Sequence, residues 1–187
     1  MKVCPGCGHR GEEAMCPNDA FPMVEESAFA KPGEADALVG QVFGERYKVE
    51  SLIGKGGMGW VFRATHLVMQ QTVALKIMRR ELASDMTMVK RFYGEARSCS
   101  RLKHHHSIKV HDFGVSPDGN AYLAMEFLEG RPLSDVMIEQ SPFPSARACR
   151  IVAQACKSLE EAHSIGLVHR DLKPENVLLA STAKGDC

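Results

Sequence analysis

The chain has 187 residues, 23 basic and 23 acidic side chains and 44% apolar residues, enough for one domain with a small appendage. Balanced charge gives no global field for nucleic acid or an anionic membrane, and no apolar run approaches the roughly eighteen residues of a spanning helix. The start, Met1-Lys2-Val3-Cys4, lacks the apolar core of a secretory signal. Three of the seven cysteines fall in the first sixteen residues, which suits a metal site in a reducing compartment better than a disulfide framework. A cytoplasmic location is expected.

Cys4-Pro5-Gly6-Cys7 forms a knuckle, and Cys16-Pro17-Asn18-Asp19 repeats its shape with aspartate in the last place. Zinc takes four ligands, mostly thiolate or imidazole. Cys4, Cys7 and Cys16 would be completed by Asp19 or by His9; the alternative is a metal-free loop of thiols. Residues 1–26 resemble a small zinc ribbon. A segment this short buries no core of its own, so without metal it should be disordered. Glu12, Glu13, Asp19, Glu25 and Glu26 outweigh Lys2 and Arg10, which argues against a nucleic-acid partner and for a structural or protein-contact role. Ser27 to Asp36 has Lys31-Pro32-Gly33 and no apolar period, and residues 27–46 read as a linker.

From Tyr47 the pattern is one of short strands. Gly54-Lys55-Gly56-Gly57-Met58-Gly59-Trp60-Val61 has the spacing G-x-G-x-x-G-x-V. A dinucleotide-binding turn would open a helix at the last glycine and place an acid about twenty residues on. Here the β-type run Trp60-Val61-Phe62 follows, and Ala74 to Arg79 contains no acid. A glycine flap between two strands fits better, with glycine allowing positive φ and close approach of backbone to phosphate. Val73-Ala74-Leu75-Lys76 is the next strand. Ser84 to Leu102 reads as a helix, with Met88, Phe92, Ala96 and Cys99 at helical spacing. Gly94 within it costs roughly 1 kcal/mol relative to alanine.

Between Lys76 and Lys109 bases outnumber acids nine to three, which reads as a hydrated face. His104-His105-His106 reads as a turn: consecutive side chains point in different directions, so three imidazoles in a row rarely share one ion. Ile108 to Gly114 reads as a strand ending in a turn, with Asp112 structural. Ser116-Pro117-Asp118-Gly119-Asn120 is a reverse turn into Ala121-Tyr122-Leu123-Ala124-Met125. Leu133 to Glu139 and Pro144 to Ser164 read as helices. The second carries an apolar stripe of Ala148, Ile151, Val152, Ala155, Leu159 and Ala162, and stops at Gly166. Cys149 and Cys156 are expected to be small buried or half-buried residues. Leu178-Leu179-Ala180 reads as a strand.

His169-Arg170-Asp171-Leu172-Lys173-Pro174-Glu175-Asn176 carries the most specific pattern. It resembles the catalytic loop of protein kinases, H-R-D-L-x-x-x-N, and the lysine two places after the aspartate is the serine/threonine form. With the glycine flap and Val73-Ala74-Leu75-Lys76, it identifies Tyr47 to Leu179 as similar to roughly half of a bacterial-type serine/threonine protein kinase domain. The implied fold is α+β: a kinase-like N-lobe of antiparallel sheet and one long helix (47–124), then the hinge and first part of a helical C-lobe (125–187).

The resemblance implies ATP and Mg²⁺, with Asp171 at the substrate hydroxyl, Lys173 near the moving phosphate, Asn176 on Mg²⁺, and Lys76 on the α- and β-phosphates paired with Glu95. The glycine flap from Gly54 to Val61 would cover the phosphates. Ile53, Val61 and Ala74 would lie on one side of the adenine and Leu178 on the other, with Met125, Glu126 and Leu128 at its edge. The partner implied is a protein bearing a Ser or Thr hydroxyl. The family's magnesium-binding D-F-G lies past the catalytic loop, whereas Asp112-Phe113-Gly114 precedes it. Feeble transfer by this chain alone is therefore expected. The competing readings are a non-catalytic nucleotide-binding or kinase-docking module and a remnant without a stable fold.

Overall fold

The computed structural model describes residues 1–4, 7–18, 20, 23–25, 35–79, 82, 85–117, 119–182 and 185–186. They form two compact units, residues 1–100 with 109–127, and residues 101–108 with 128–187. No helix among them is long and apolar enough to cross a membrane.

In the first unit, strands β4 (Val42–Phe43), β5 (Tyr47–Lys55), β6 (Gly59–His66), β7 (Gln71–Met78), β8 (Val110–Val115) and β9 (Ala121–Glu126) form one sheet in the order β4-β5-β6-β7-β9-β8. Every pairing in it is antiparallel. Alternation along β6 and β7 divides the sheet into two faces. Phe62, Leu75 and Ala124 bury one face with Phe43, Tyr47 and Val49. The other face carries Leu123 and packs on helix α1 (Met86–Cys99) through Val89, Phe92, Tyr93 and Ala96.

Helix α1 starts two residues later than the spacing predicts. Asp85 is its N-cap, and its carboxylate accepts from the Thr87 (2.8 Å) and Met88 (3.4 Å) amides, satisfying donors that an uncapped first turn would leave open. Ser84, the expected start, lies outside the described residues.

The linker reading needs correction over part of its length. Residues 26–34 lie outside the described residues, but Ala35–Leu38 forms a 3₁₀ turn and Val42–Phe43 pairs with Tyr47 and Lys48. Ala35 and Phe43 are buried in the sheet core, and the Phe43 ring meets Tyr122 edge-on at 5.7 Å. Two isolated apolar residues give no period, yet each fills a core position. Gly44 and Glu45, both at positive φ, make the tight turn that permits the pairing.

A small sheet of strands β1 (Lys2–Val3), β2 (Arg10–Gly11) and β3 (Val24–Glu25), in the order β2-β1-β3, precedes these elements within the same unit.

In the second unit, β10 (Gly130–Pro132) leads into α2 (Leu133–Glu139), followed by α3 (Ser145–Ser164), a 3₁₀ turn (Pro174–Asn176), β11 (Leu178–Thr182) and β12 (Gly185–Asp186). Val136, Ile151 and Leu179 form its small core. The α3 stripe is unevenly covered: Ile151 and Ala162 are buried, while Val152 is 59% exposed. Gly166 closes the helix at φ +77°, its N–H donating to the His163 carbonyl. Cys149 and Cys156 are exposed, contrary to the expectation of burial. They share the uncovered side of α3 with Val152, outside the arc that carries Ile151 and Ala162.

Candidate nucleotide and catalytic-loop sites

The first unit gathers its candidate nucleotide residues on the sheet face that carries α1. Directly opposed residues of an antiparallel pair share a face. Val61 opposes Lys76, Lys76 opposes Leu123, and Ala74 opposes Met125, so these side chains form two adjacent rows. Lys76 reaches Glu95 of α1 with Nζ–Oε1 at 2.6 Å, and its ammonium lies 5.7 Å from the centroid of the Phe92 ring. The lysine side chain is only 18% exposed. An ammonium so placed has given up much of its water and needs both the carboxylate and the ring face. Ala74 is buried, Val61, Met125 and Glu126 are half-buried, and Ile53 is 49% exposed. Both the Glu126 amide and one of its carboxylate oxygens are engaged with the backbone of Lys109.

The flap from Gly54 to Gly59 joins β5 to β6. The Gly56 N–H donates to the Gly59 carbonyl at 2.8 Å, and Lys55 opposes Trp60. Behind it, the Arg79 amide donates to the Met58 carbonyl and the Arg79 guanidinium stacks 5.6 Å over Trp60. Packing demands glycine at one position only: a Cβ on Gly59 would collide with the Ile77 carbonyl. A Cβ on Gly57 would meet nothing within 4 Å, and on Gly54 or Gly56 only ordinary contacts at 3.6 Å. None of the four is at positive φ, so the freedom expected of them is not used here. What glycine contributes is a bare backbone surface.

Asp112 has a different task from that of a magnesium ligand. It lies in β8 opposite Ala124, and its Oδ2 accepts from Arg46 (3.0 Å), Tyr47 (3.2 Å) and Tyr122 (2.8 Å). Burial, and next the Asp112 charge, pushes the Tyr47 hydroxyl up to about 12.

The second unit holds the candidate catalytic loop, His169 to Asn176. Asn176 Nδ2 donates to the Asp171 carbonyl (2.8 Å) and to Asp171 Oδ2 (3.1 Å), and Lys173 Nζ lies 3.0 Å from the same oxygen. Asp171, Lys173 and Asn176 therefore meet at one carboxylate. The hydrogen bond from Lys173, then that from Asn176, holds the Asp171 carboxyl below its ordinary range, and the hydrogen bond to Asp171 raises the Lys173 ammonium. Arg170 adopts φ +63° just before it, a conformation that a non-glycine residue holds only when its surroundings fix it. The loop is anchored behind by the 3₁₀ turn and by β11, where Leu178 opposes Pro132 and Leu179 is buried. Gly130 allows this close pairing, since a Cβ there would run into the Leu179 carbonyl. Leu128 and Leu178 are half-buried.

In the small N-terminal sheet the ligand atoms of Cys4, Cys7 and Cys16 all lie within 4.8 Å of one another, with Cys7 and Cys16 Sγ 3.5 Å apart. Sulfurs around a tetrahedral zinc at about 2.3 Å would be roughly 3.8 Å apart, so the donor set fits that ion. The two turns also match in backbone: Gly8 donates to the Cys4 carbonyl and Ala20 to the Cys16 carbonyl, each from positive φ. His9, one proposed fourth ligand, does not join the group; its Nε2 lies 3.9 Å from Glu13. Asp19, the other, lies outside the described residues. A backbone hydrogen bond from His9, with further ones from Asn18 and Cys16, holds the Cys7 thiol below its usual value, and a thiolate is the form that binds metal.

The protein kinase domain model matches residues 47–185. The chain belongs to the protein kinase family. This kinase chain is 44% identical over 146 residues to the serine/threonine-protein kinase pkn3 of Myxococcus xanthus, covering 78% of this chain and 27% of that protein. It is 40% identical over 144 residues to the serine/threonine-protein kinase PknH of Mycobacterium tuberculosis, covering 77% and 23%. The crystal structure of the M. tuberculosis PknI kinase domain superposes with a TM-score of 0.66 at 32% identity, covering 76% of this chain and 57% of that one. The chain thus spans about a quarter of the length of these curated relatives and just over half of the solved kinase domain. The kinase fold expected from the motifs is confirmed.

Several working residues of this kinase domain had no sequence signal. Phe92 was legible as a core position of α1 but not as the ring against Lys76. Glu161 of α3 accepts from the Lys103 and His104 amides and so pins the histidine turn. There the three imidazoles cluster with their planes tilted by 31–46°, centroids 3.9–5.3 Å apart. Residues 105–107 do form the turn expected from the sequence, with the rings closer together than side chains pointing in different directions would be. The burial of His106 and its neighbouring imidazoles lower its pKa.

Proposed function

We propose that this chain carries the ATP-binding and catalytic-loop machinery of a cytoplasmic serine/threonine protein kinase, with a protein hydroxyl as acceptor and no nucleic-acid partner. The observation that carries the reading is the convergence of Asp171, Lys173 and Asn176 on one carboxylate oxygen. ATP supplies the γ-phosphoryl group, and its magnesium neutralises charge as the group leaves. Lys76, set by Glu95, holds the α- and β-phosphates, and the bare backbone from Gly54 to Gly59, with Lys55, Met58 and Trp60, covers them. In the first unit Ile53, Val61, Ala74, Met125 and Glu126 are the residues offered to the adenine, and in the second Leu128 and Leu178. Asp171 accepts the hydroxyl proton, Lys173 stabilises the transferred phosphate, and the amide oxygen of Asn176 is the atom left for Mg²⁺, its nitrogen being engaged by Asp171.

The carboxylate that the family places on the other Mg²⁺ is not supplied by Asp112, which is committed to Arg46, Tyr47 and Tyr122. We expect the chain to bind Mg·ATP. Cys4, Cys7 and Cys16 would bind zinc, with Asp19 as the fourth ligand. Thermal melting tests the nucleotide reading: at 100 times its Kd, Mg·ATP should add about 2.7 kcal/mol. No upward shift at millimolar Mg·ATP would overturn it.

A further inference from the structure

The small N-terminal sheet has no apolar core to itself among the described residues. Its buried side chains, Val3, Cys4, Cys16 and Met23, belong to the same cluster as Val89, Phe92, Tyr93 and Ala96 of α1 and Leu123 of β9. Cys4 is fully buried and Cys16 is 3% exposed, so two of the three clustered sulfur residues lie inside the core that seats the helix. At the first turn Lys90 of α1 also lies close, its Nζ 3.4 Å from where a Cβ on Gly8 would sit. That helix carries Glu95, the partner of Lys76 at 2.6 Å, between Phe92 and Ala96, which touch the shared core.

We infer that metal occupancy of the Cys4–Cys7–Cys16 site positions α1, and through Glu95 sets the nucleotide lysine. This rests on the zinc reading above and extends it from a structural ion to a regulator of ATP binding. Strands of two residues pair weakly, so the cysteine cluster is what would hold Val3, Cys4, Cys16 and Met23 in one shape. The free energy of metal binding then becomes folding free energy of this segment. The segment's apolar side rests on α1, so that energy also stabilises the helix. Linkage makes the effect reciprocal: if zinc strengthens ATP binding by some factor, ATP strengthens zinc binding by the same factor.

The test uses the whole 187-residue chain, saturated with zinc and then stripped by a chelator. Metal analysis should give one zinc per chain. Stripping should raise amide hydrogen exchange in α1, residues 86–99, while β5 and β6 keep their protection. It should also weaken Mg·ATP by about tenfold, within the usual range of coupling between sites. In Glu95→Gln the exchange effect should remain and the effect on ATP should vanish. Zinc that binds without changing exchange in α1 would overturn the inference and leave the zinc reading standing. No bound zinc would overturn both. Protection lost equally throughout the large sheet would also overturn it, since that is general unfolding. An ATP effect undiminished in Glu95→Gln would refute the route through Glu95.

Discussion

The two candidate sites, around Lys76 and around Asp171, are held in different ways. Lys76 is fixed by tertiary structure: a central strand supplies its backbone, α1 supplies Glu95 and Phe92, and the side chain is 18% exposed. Asp171 is fixed locally, by residues two and five places along the chain, and its side chain is 65% exposed. Charges withdrawn from water interact strongly but depend on every neighbour, whereas exposed pairs contribute little to stability. The nucleotide half should therefore fail when packing fails. The catalytic loop should keep its shape through most changes elsewhere and lose only chemistry when its own residues change.

That contrast can be broken most severely at Asp171. Asp171→Asn should lower phosphoryl transfer by about 10²–10⁴-fold, the usual contribution of a positioned base, with Mg·ATP affinity and melting temperature nearly unchanged. A large loss of stability instead would show that the loop is more than locally braced. Phe92→Ala makes the opposite demand. Phe92 is 1% exposed, and its truncation should destabilise the first unit by about 3–5 kcal/mol. Chemical denaturation would register this, and a change under 1 kcal/mol would contradict the packing described.

Gly94 is exposed on α1, with nothing within 4 Å of its Cβ position, and no contact explains a glycine there. Gly94→Ala should stabilise the helix by about 1 kcal/mol. Lys173→Ala should return the Asp171 pKa upward toward the ordinary carboxylate value, since Lys173 is the first cause of its depression. The sign follows from linkage: a depressed carboxyl contributes stability above its unfolded pKa and loses it as pH falls through the folded one. An NMR titration of the Asp171 carboxyl would show the shift, while melting at neutral pH should scarcely move.

Local order decided what was legible in the sequence. The loop from His169 to Asn176 could be read because its pattern sets specific residues at fixed short spacing, and the structure keeps their contacts within six residues, Asp171 to Asn176. The glycine flap, the strand of Lys76 and the helices at Leu133 and Ser145 were legible from period and turn chemistry. Phe43 and Ala35 were not, because a single buried residue leaves no period. Nor was the seating of Val3 and Cys4 on α1, about ninety residues away in the chain, since nothing in either stretch names the other. The side of α3 bearing Cys149 was misjudged because small residues look alike whether covered or not.

Titration of Mg·ATP into the purified chain and into Lys76→Ala probes the nucleotide lysine itself. One nucleotide should bind per chain, with a loss of about tenfold or more in affinity when the lysine is removed, the size expected for a charge-assisted contact to phosphate. Equal binding by the two proteins, or none by either, would contradict this expectation.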